Sequence, residues 1–294
     1  MLYSKKSVLY YATVLSLMLG TMACKKKDTT PPDPGPDDQV LSAIHQNGVL
    51  TDSFYYNKQQ QIIHYIHFNA TREIDKYCDM TYDNEGGFTG ASLYFKNGVS
   101  EKNQAITTAG QIRIVGNIYY SNGTIWSPYT TILKLDNGGR FVSMLDTVHA
   151  GSKNNILSYL RWIDIQTRKY DDDKLVYVEM EGITTKYDPA TPNIDTIVSD
   201  KVITKHFEYG NTPNKLYPIG KKNPYLLVII GAANPFYAGS TNVTKTTEGN
   251  NTTVFQDIEF TSGFYVRKRK ETITVDGVTS TINWEFYYSP VSSL

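Results

Sequence analysis

From Val40 onward, apolar residues recur at every second position in short runs broken by turn residues, the period of a strand with one buried face. Thirteen runs carry the pattern. They are Val49 to Tyr56, Gln61 to Phe68, Tyr77 to Tyr82, Phe88 to Phe95, Gln111 to Tyr120, Trp126 to Leu135 and Phe141 to Val148, followed by Ile156 to Ile165, Leu175 to Glu181, Lys201 to Tyr209, Val254 to Phe260, Phe264 to Val275 and Val278 to Tyr288. Asn47-Gly48, Asn97-Gly98, Asn122-Gly123 and Asp276-Gly277 supply the positive φ angles that tight hairpins require. Sequence-adjacent strands should therefore pair antiparallel. The expected fold is an all-β antiparallel meander forming a strongly curved sheet or barrel-like structure. Between Asn223 and Gly239 the period breaks. Asn223-Pro224 can start a helix, and Gly231 and Asn234-Pro235 stop the apolar run Tyr225 to Ile230. The pattern predicts one short helix near residues 224–233, packed over an open end or the concave face of the sheet. A buried strand is the alternative, since Val228, Ile229 and Ile230 are β-branched. Thr191-Pro192-Asn193 and Asn211 to Asn214 mark longer loops.

A loose repeat runs through the turns. An apolar or aromatic residue is followed by Asp or Asn, then by variable residues and the apolar start of the next strand. Tyr56-Asn57 leads to Ile62, Tyr82-Asp83 to Phe88, Leu135-Asp136 to Phe141 and, one residue shorter, Tyr170-Asp171 to Leu175. Asx side chains hydrogen-bond their own turn, and Gly86, Gly87, Gly138 and Gly139 accept left-handed geometry. Each copy is a hairpin unit, a structural device rather than a chemical one.

The N-terminus has different physics. Lys5 and Lys6 precede an apolar stretch from Val8 to Leu19, which suits a signal h-region and is too short to span a bilayer. Ala23 immediately before Cys24 resembles a bacterial lipobox, in which the Cys thiol is alkylated with diacylglycerol and becomes the new N-terminus; Thr21 departs from the usual Leu at that position. The alternative is a plain secretory signal with an incidental Cys. The expected division is a lipoprotein signal peptide at 1–23, a lipidated Cys24 with a Pro- and Asp-rich tether at 24–38, and a single β-rich domain at 39–294. The stretch Asp28 to Asp38 is too rich in Pro, Gly and Asp to bury apolar surface, so it should be extended and solvated. Lys25 is not the Asp that retains lipoproteins at the inner membrane of well-studied Gram-negative bacteria. Lipid-anchored placement at the outer membrane is expected, on its periplasmic or its cell-surface face.

Composition removes other classes. The chain has 29 basic and 29 acidic side chains, so phosphate neutralisation gives no reason to expect nucleic acid as a partner. Loss of residues 1–23 takes away Lys5 and Lys6 and no acid, leaving 27 basic residues against 29 acidic. With Cys24 acylated, Cys78 is the one remaining thiol, so no internal disulfide forms; in its alternating stretch it reads as a small buried side chain. His64 and His67, three apart on a strand, point to opposite faces and make no local metal pair. No metal site and no cofactor are expected, since phosphate-cradling loops, zinc-binding Cys clusters and nucleophile elbows are missing from the sequence.

The lipobox with its basic and Pro/Asp-rich sequel, the hairpin Tyr82-Asp83-x-x-Gly86-Gly87-Phe88, the segment Asn223-Pro224-Tyr225-Leu226-Leu227 leading to Tyr237-Ala238-Gly239-Ser240-Thr241-Asn242, and the closing Trp284-Glu285-Phe286-Tyr287-Tyr288 go together. In these the chain resembles, over roughly residues 40 to 288, the Bacteroidota lipoprotein domain of unknown function with a porin-like fold. The resemblance implies a curved or barrel-like antiparallel sheet and carries over no catalytic residues. The stretch from Thr184 to Val202 departs from it.

One feature suggests ligand chemistry. Tyr119, Tyr120, Trp126 and Tyr129 bracket the Asn122-Gly123 turn, and flat rings with polar tips can stack on sugars. The plainer reading is cross-strand pairing within the hairpin. Asp171, Asp172, Asp173, Glu179 and Glu181 would supply a glycosidase pair only if two faced one cleft. The expected function is a noncatalytic, lipid-anchored envelope protein that binds a glycan, peptide or partner protein through a concave β surface. The alternatives are a structural or assembly component of an envelope complex and a carbohydrate-active enzyme.

Overall fold

The computed structural model describes residues 39–291 apart from 109, 151–158, 188–195, 232–233 and 262. The signal segment, Cys24, the tether, residues 156–158 of one expected strand and the Thr191-Pro192-Asn193 loop lie outside the described residues. The strands are β1 (Gln39–Gln46), β2 (Val49–Tyr56), β3 (Ile62–Phe68), β4 (Ile74–Tyr82), β5 (Phe88–Phe95), β6 (Ser100–Thr108), β7 (Gln111–Tyr119) and β8 (Ile125–Leu135). They continue as β9 (Phe141–Ala150), β10 (Tyr159–Asp171), β11 (Lys174–Tyr187), β12 (Thr196–Pro213), β13 (Thr241–Glu248), β14 (Asn251–Phe260), β15 (Val266–Val275) and β16 (Val278–Pro290). Each pairs antiparallel with its neighbours in sequence, and β1 closes on β16 from Gln39↔Pro290 to Gln46↔Trp284. The meander is thus a closed sixteen-stranded barrel rather than an open curved sheet. Closure leaves no strand edge unpaired.

Three strands are absent from the alternation pattern for identifiable reasons. A bulge between Leu41 and Ala43 shifts the phase of β1, so its buried residues Val40, Leu41 and Ile44 do not alternate. On β6 the inward residues Glu101 and Asn103 are polar. On β13 threonine dominates, and Thr246 and Asn242 are buried beside Val243.

The turns work as their sequence dictates. The side-chain Oδ1 of Asn57 accepts from the backbone N–H groups of Gln59 and Gln61, at 3.0 and 2.9 Å. Asp83 Oδ1 accepts from Glu85 and Gly87, and Asp136 Oδ1 from Gly138 and Arg140, all within 2.9 Å. These Asx turns close one end of the barrel, which also receives Gln39 at the start of β1. The opposite end is closed by hairpins such as Asn47-Gly48, where φ is +51° and +75°.

The long connection from β12 to β13 does not cap the barrel but fills it. It carries α1 (Tyr217–Lys222), α2 (Pro224–Ile230) and a 3₁₀ turn at Pro235–Tyr237. The expected helix at 224–233 corresponds to α2, which Gly231 stops at φ +97°. Its contacts place it inside the lumen. The Tyr225 ring stacks on Phe88 of β5 at 4.5 Å, while Phe236 lies 5.2 Å edge-on from both Trp284 and Phe286 of β16. Asn103 of β6 donates through Nδ2 to the hydroxyls of Tyr225 and of Tyr129 on β8. Gly116 makes room for that bridge, since a Cβ there would lie 2.7 Å from Asn103 Cβ and 2.8 Å from the Tyr129 ring. Asn223, 2% exposed, fixes the entry of α2. Its Oδ1 accepts from the Ile62 N–H at 2.9 Å and the Tyr82 hydroxyl at 3.3 Å, and its Nδ2 donates to the Ile219 carbonyl at 2.9 Å. This satisfies donors that burial would otherwise strand.

The cross-strand register separates the two faces of the wall. One row of partners runs Phe54, Tyr65, Cys78, Leu93, Glu101, Ile118, Ser127 and faces inward; all but Glu101 are buried. The neighbouring row, Tyr55, His64, Asp79, Ser92, Lys102, Asn117, Pro128, faces outward. Farther round the wall, outward ion pairs join Lys245 to Glu208, Arg267 to Glu259 and Lys268 to Glu285. A barrel that spans a bilayer alternates apolar outside and polar inside, and each Lys or Arg on its lipid face costs about 2–4 kcal/mol at the midplane. Here the inside is apolar, and these outward rows carry charged and polar groups, with Ile106, Val115, Leu145 and Val202 exposed elsewhere on the outer face.

Candidate functional site

The apolar lumen is filled unevenly. At the end opposite the entry of the plug, a cavity of about 300 Å³ remains between the tip of the plug and β1–β4 and β16. Ile44, Phe54, Ile230, Phe236 and Trp284 give it apolar walls, and Asp52, Tyr65, His67 and Lys76 converge on it. Register explains the convergence, because Asp52 pairs with His67 and His67 with Lys76 on successive strands, all pointing inward. Asp52 Oδ1 accepts from the Tyr65 hydroxyl at 2.7 Å and from His67 Nδ1–H at 2.9 Å. Burial pushes the Tyr65 hydroxyl up, with Asp52 adding to the effect. The Lys76 ammonium donates to the Ile229 carbonyl at 2.9 Å, and burial lowers its pKa against the opposing pull of Asp52. Tyr237, 4% exposed, also lines the cavity, and its buried hydroxyl has no hydrogen-bond partner among the described residues. Beside the site, the Arg269 guanidinium lies between the rings of Phe236, at 4.5 Å, and Phe255, at 3.7 Å; burial pushes it down to about 9.

A second group of inward polar residues follows the register Thr131, Asp146, Asp164, Gly182 across β8–β11. Burial, then Asp146, pushes Glu101 up to about 6, with Lys76 opposing. Burial raises Asp146 despite the Thr131 hydroxyl at 2.7 Å, and burial raises Asp164 too. A carboxyl with a raised folded pKa holds its proton more tightly when folded, so the stability it contributes at low pH is lost as pH climbs from 4.5 through 6. A rise of this size corresponds to on the order of 2 kcal/mol. Glu101→Gln is expected to flatten the fall in melting temperature over that window, leaving the smaller slope from Asp146 and Asp164. A variant that keeps the wild-type profile would show that Glu101 ionises freely.

The residues singled out in the sequence are distributed as follows. Tyr120 and Trp126 meet at the hairpin tip with ring centroids 6.2 Å apart and are 48% and 39% exposed. Tyr119 stands on the outer wall with the Lys102 ammonium 5.9 Å from its ring. Tyr129 points into the lumen, 6% exposed, and its hydroxyl is held by Asn103. His64 faces outward against Asp79 at 2.6 Å and His67 inward against Asp52, on opposite faces as their spacing requires. Cys78 is fully buried, and burial pushes its thiol up. Asp173 is held at a turn by Arg140 at 3.1 Å and by the Tyr217 hydroxyl, and Glu179 pairs with Thr167 on the outer face. These acids do not share a cleft. Among the described residues no group of three His, Cys, Asp or Glu side chains is placed to hold a metal ion.

No protein-family model matches the chain, and no curated protein does. Among solved structures it is similar to a porin-like protein from Bacteroides uniformis, at 11% identity, covering 85% of this chain and 98% of that one with a TM-score of 0.38. It is also similar to a porin-like protein from Bacteroides vulgatus, at 10% identity, covering 86% and 100% with a TM-score of 0.39.

No motif announces the constellation of Asp52, Tyr65, His67 and Lys76. Each residue sits in an ordinary alternating run. A faint signal exists in the inward phase of β2–β4, where Asp52, His67 and Lys76 interrupt a mostly apolar set of core-facing positions.

Proposed function

We propose that the protein is a noncatalytic, lipid-anchored envelope barrel that holds a small ligand in the mouth of its lumen. The observation that carries this reading is the mouth cavity, where polar side chains with unused hydrogen-bonding capacity face a space walled by apolar residues. Such concave sites with apolar walls and a few convergent polar groups occur in the mouths of barrels. Closure turns the concave face of the sheet inward, so recognition by a concave β surface becomes recognition inside the lumen. With charged groups spread over the outer wall, attachment to a membrane is assigned to acylated Cys24. The described chain enters the barrel at Gln39, at the plug-entry end, opposite the cavity.

The test is a melting-temperature screen of the full-length chain in detergent against small metabolites covering amino acids, sugars and short carboxylic acids. A ligand at a hundred times its Kd stabilises the folded state by about 2.7 kcal/mol, an upward shift the screen reads directly. Stabilisation by at least one class, lost in Trp284→Ala, is expected. A flat response across all three classes would overturn the reading.

A further inference from the structure

Resting on the mouth cavity as a ligand site, we infer that its ligand is a small zwitterion, carrying an ammonium and a carboxylate on a compact apolar body, as a free amino acid does. Three features of the cavity point there. First, both signs of charge line one face in a fixed order, with Asp52, His67 and Lys76 side by side on β2, β3 and β4. Second, each retains capacity. Asp52 uses Oδ1 for Tyr65 and His67, which leaves Oδ2 to accept. His67 donates through Nδ1, which leaves Nε2 as an acceptor in the neutral ring. Lys76 gives one of its three protons to the Ile229 carbonyl, which leaves two. A ligand ammonium finds Oδ2 and Nε2, and a ligand carboxylate finds the Lys76 ammonium. Third, Ile44, Phe54, Ile230 and Phe236 give the lining an apolar side, beside the polar Asn234 and Tyr237, that accepts an aliphatic or aromatic side chain.

The same geometry disfavours a sugar. Stacking needs a flat ring with a free face, but Phe236 is locked edge-on against Trp284 and Phe286 at interplanar angles of 83° and 86°, and Arg269 covers one of its faces. A neutral polyol would also give the two remaining Lys76 protons no charged acceptor within the cavity, which a carboxylate supplies. The volume of about 300 Å³ sits at the small end of ligand pockets, suited to a single compact molecule.

The experiment is isothermal titration calorimetry on the full-length chain in detergent. L-leucine and L-phenylalanine are titrated first, then their N-acetyl and C-amide forms, then glucose. Saturable binding of one free amino acid is expected, with either capped form at least tenfold weaker on the wild-type protein. Asp52→Asn and Lys76→Met, each checked for an unchanged β-sheet spectrum, are expected to weaken it at least tenfold as well. Equal binding of free and capped forms would overturn the assignment, because neither charge would then be read. Binding of glucose without binding of either amino acid would overturn it while leaving the mouth cavity standing as a ligand site. Silence from every probe would overturn it too, and the broader melting screen then decides whether the cavity binds anything.

Discussion

Replacing Cys24 with Ser is expected to move the protein from the membrane pellet into the soluble fraction and to remove the mass of the acyl chains from the intact protein. The physical reason lies in the barrel wall. The outward row from Tyr55 through Asp79 and Lys102 to Pro128 and the outward ion pairs of β12–β16 put charges where a lipid-facing barrel carries its apolar band. No described helix is long and apolar enough to cross a membrane. Each buried acyl CH2 contributes about 0.8 kcal/mol, so two or more chains on one sulfur hold the protein at a bilayer, and their loss removes the whole of that attachment. Sedimentation of membranes followed by intact-mass measurement checks it. A Ser variant that still pellets with membranes at physiological salt would place the attachment on the barrel itself and sink the proposal of a lipid anchor.

Much of the fold was legible because its determinants are local. Asn57, Asp83 and Asp136 close their turns with bonds to backbone two and four residues on, so a short window of sequence contains the whole cause. Alternation announced most strands for the same reason: one face meets the core and the other meets water. The pattern failed where a strand's inner face was not apolar. On β6, Asn103 faces inward to bond Tyr225 of α2, more than a hundred residues away. On β1 a bulge put the buried residues out of phase. Closure was likewise illegible, since the pairing of Gln39 with Pro290 joins the two ends of the domain and no local signal encodes it.

The candidate site was less legible than the fold, because it is made by register rather than by motif. Asp52, His67 and Lys76 meet only once β2, β3 and β4 are aligned, and they face a space only because the plug stops short of them. The aromatic cluster around Asn122-Gly123 illustrates the converse. Tyr119, Tyr120, Trp126 and Tyr129 are close in sequence, yet strand alternation and the lumen send Tyr129 inside to Asn103 while Tyr120 and Trp126 stay at the tip. Proximity along the chain shows who shares a hairpin, and the pleat decides who shares a face.

Cutting the plug's hold on the wall is expected to produce the largest loss of stability that single substitutions can cause in this barrel. Leu226 is fully buried among the apolar side chains of the lumen. Leu226→Ala removes that packing and leaves a cavity, at a cost of about 2–5 kcal/mol. In a domain of this size each kcal/mol lowers the melting temperature by about 2–4 °C, so a drop on the order of 10 °C follows. Asn223→Ala acts by a different route. It leaves the Ile62 N–H without its acceptor inside the wall, at a cost of about 1–3 kcal/mol, and it frees the start of α2. The outward Gln104→Ser, on the opposite face of β6 from Asn103, is expected to stay within about 0.5 kcal/mol of the wild type. The pair of large effects against one small effect is what distinguishes a plug that is part of the core from a loop that merely visits the lumen. If Leu226→Ala and Asn223→Ala both melt with the wild type, the wall stands without its filling. The mouth cavity would then lack the fixed floor of Ile229, Ile230 and Phe236 on which its selectivity depends.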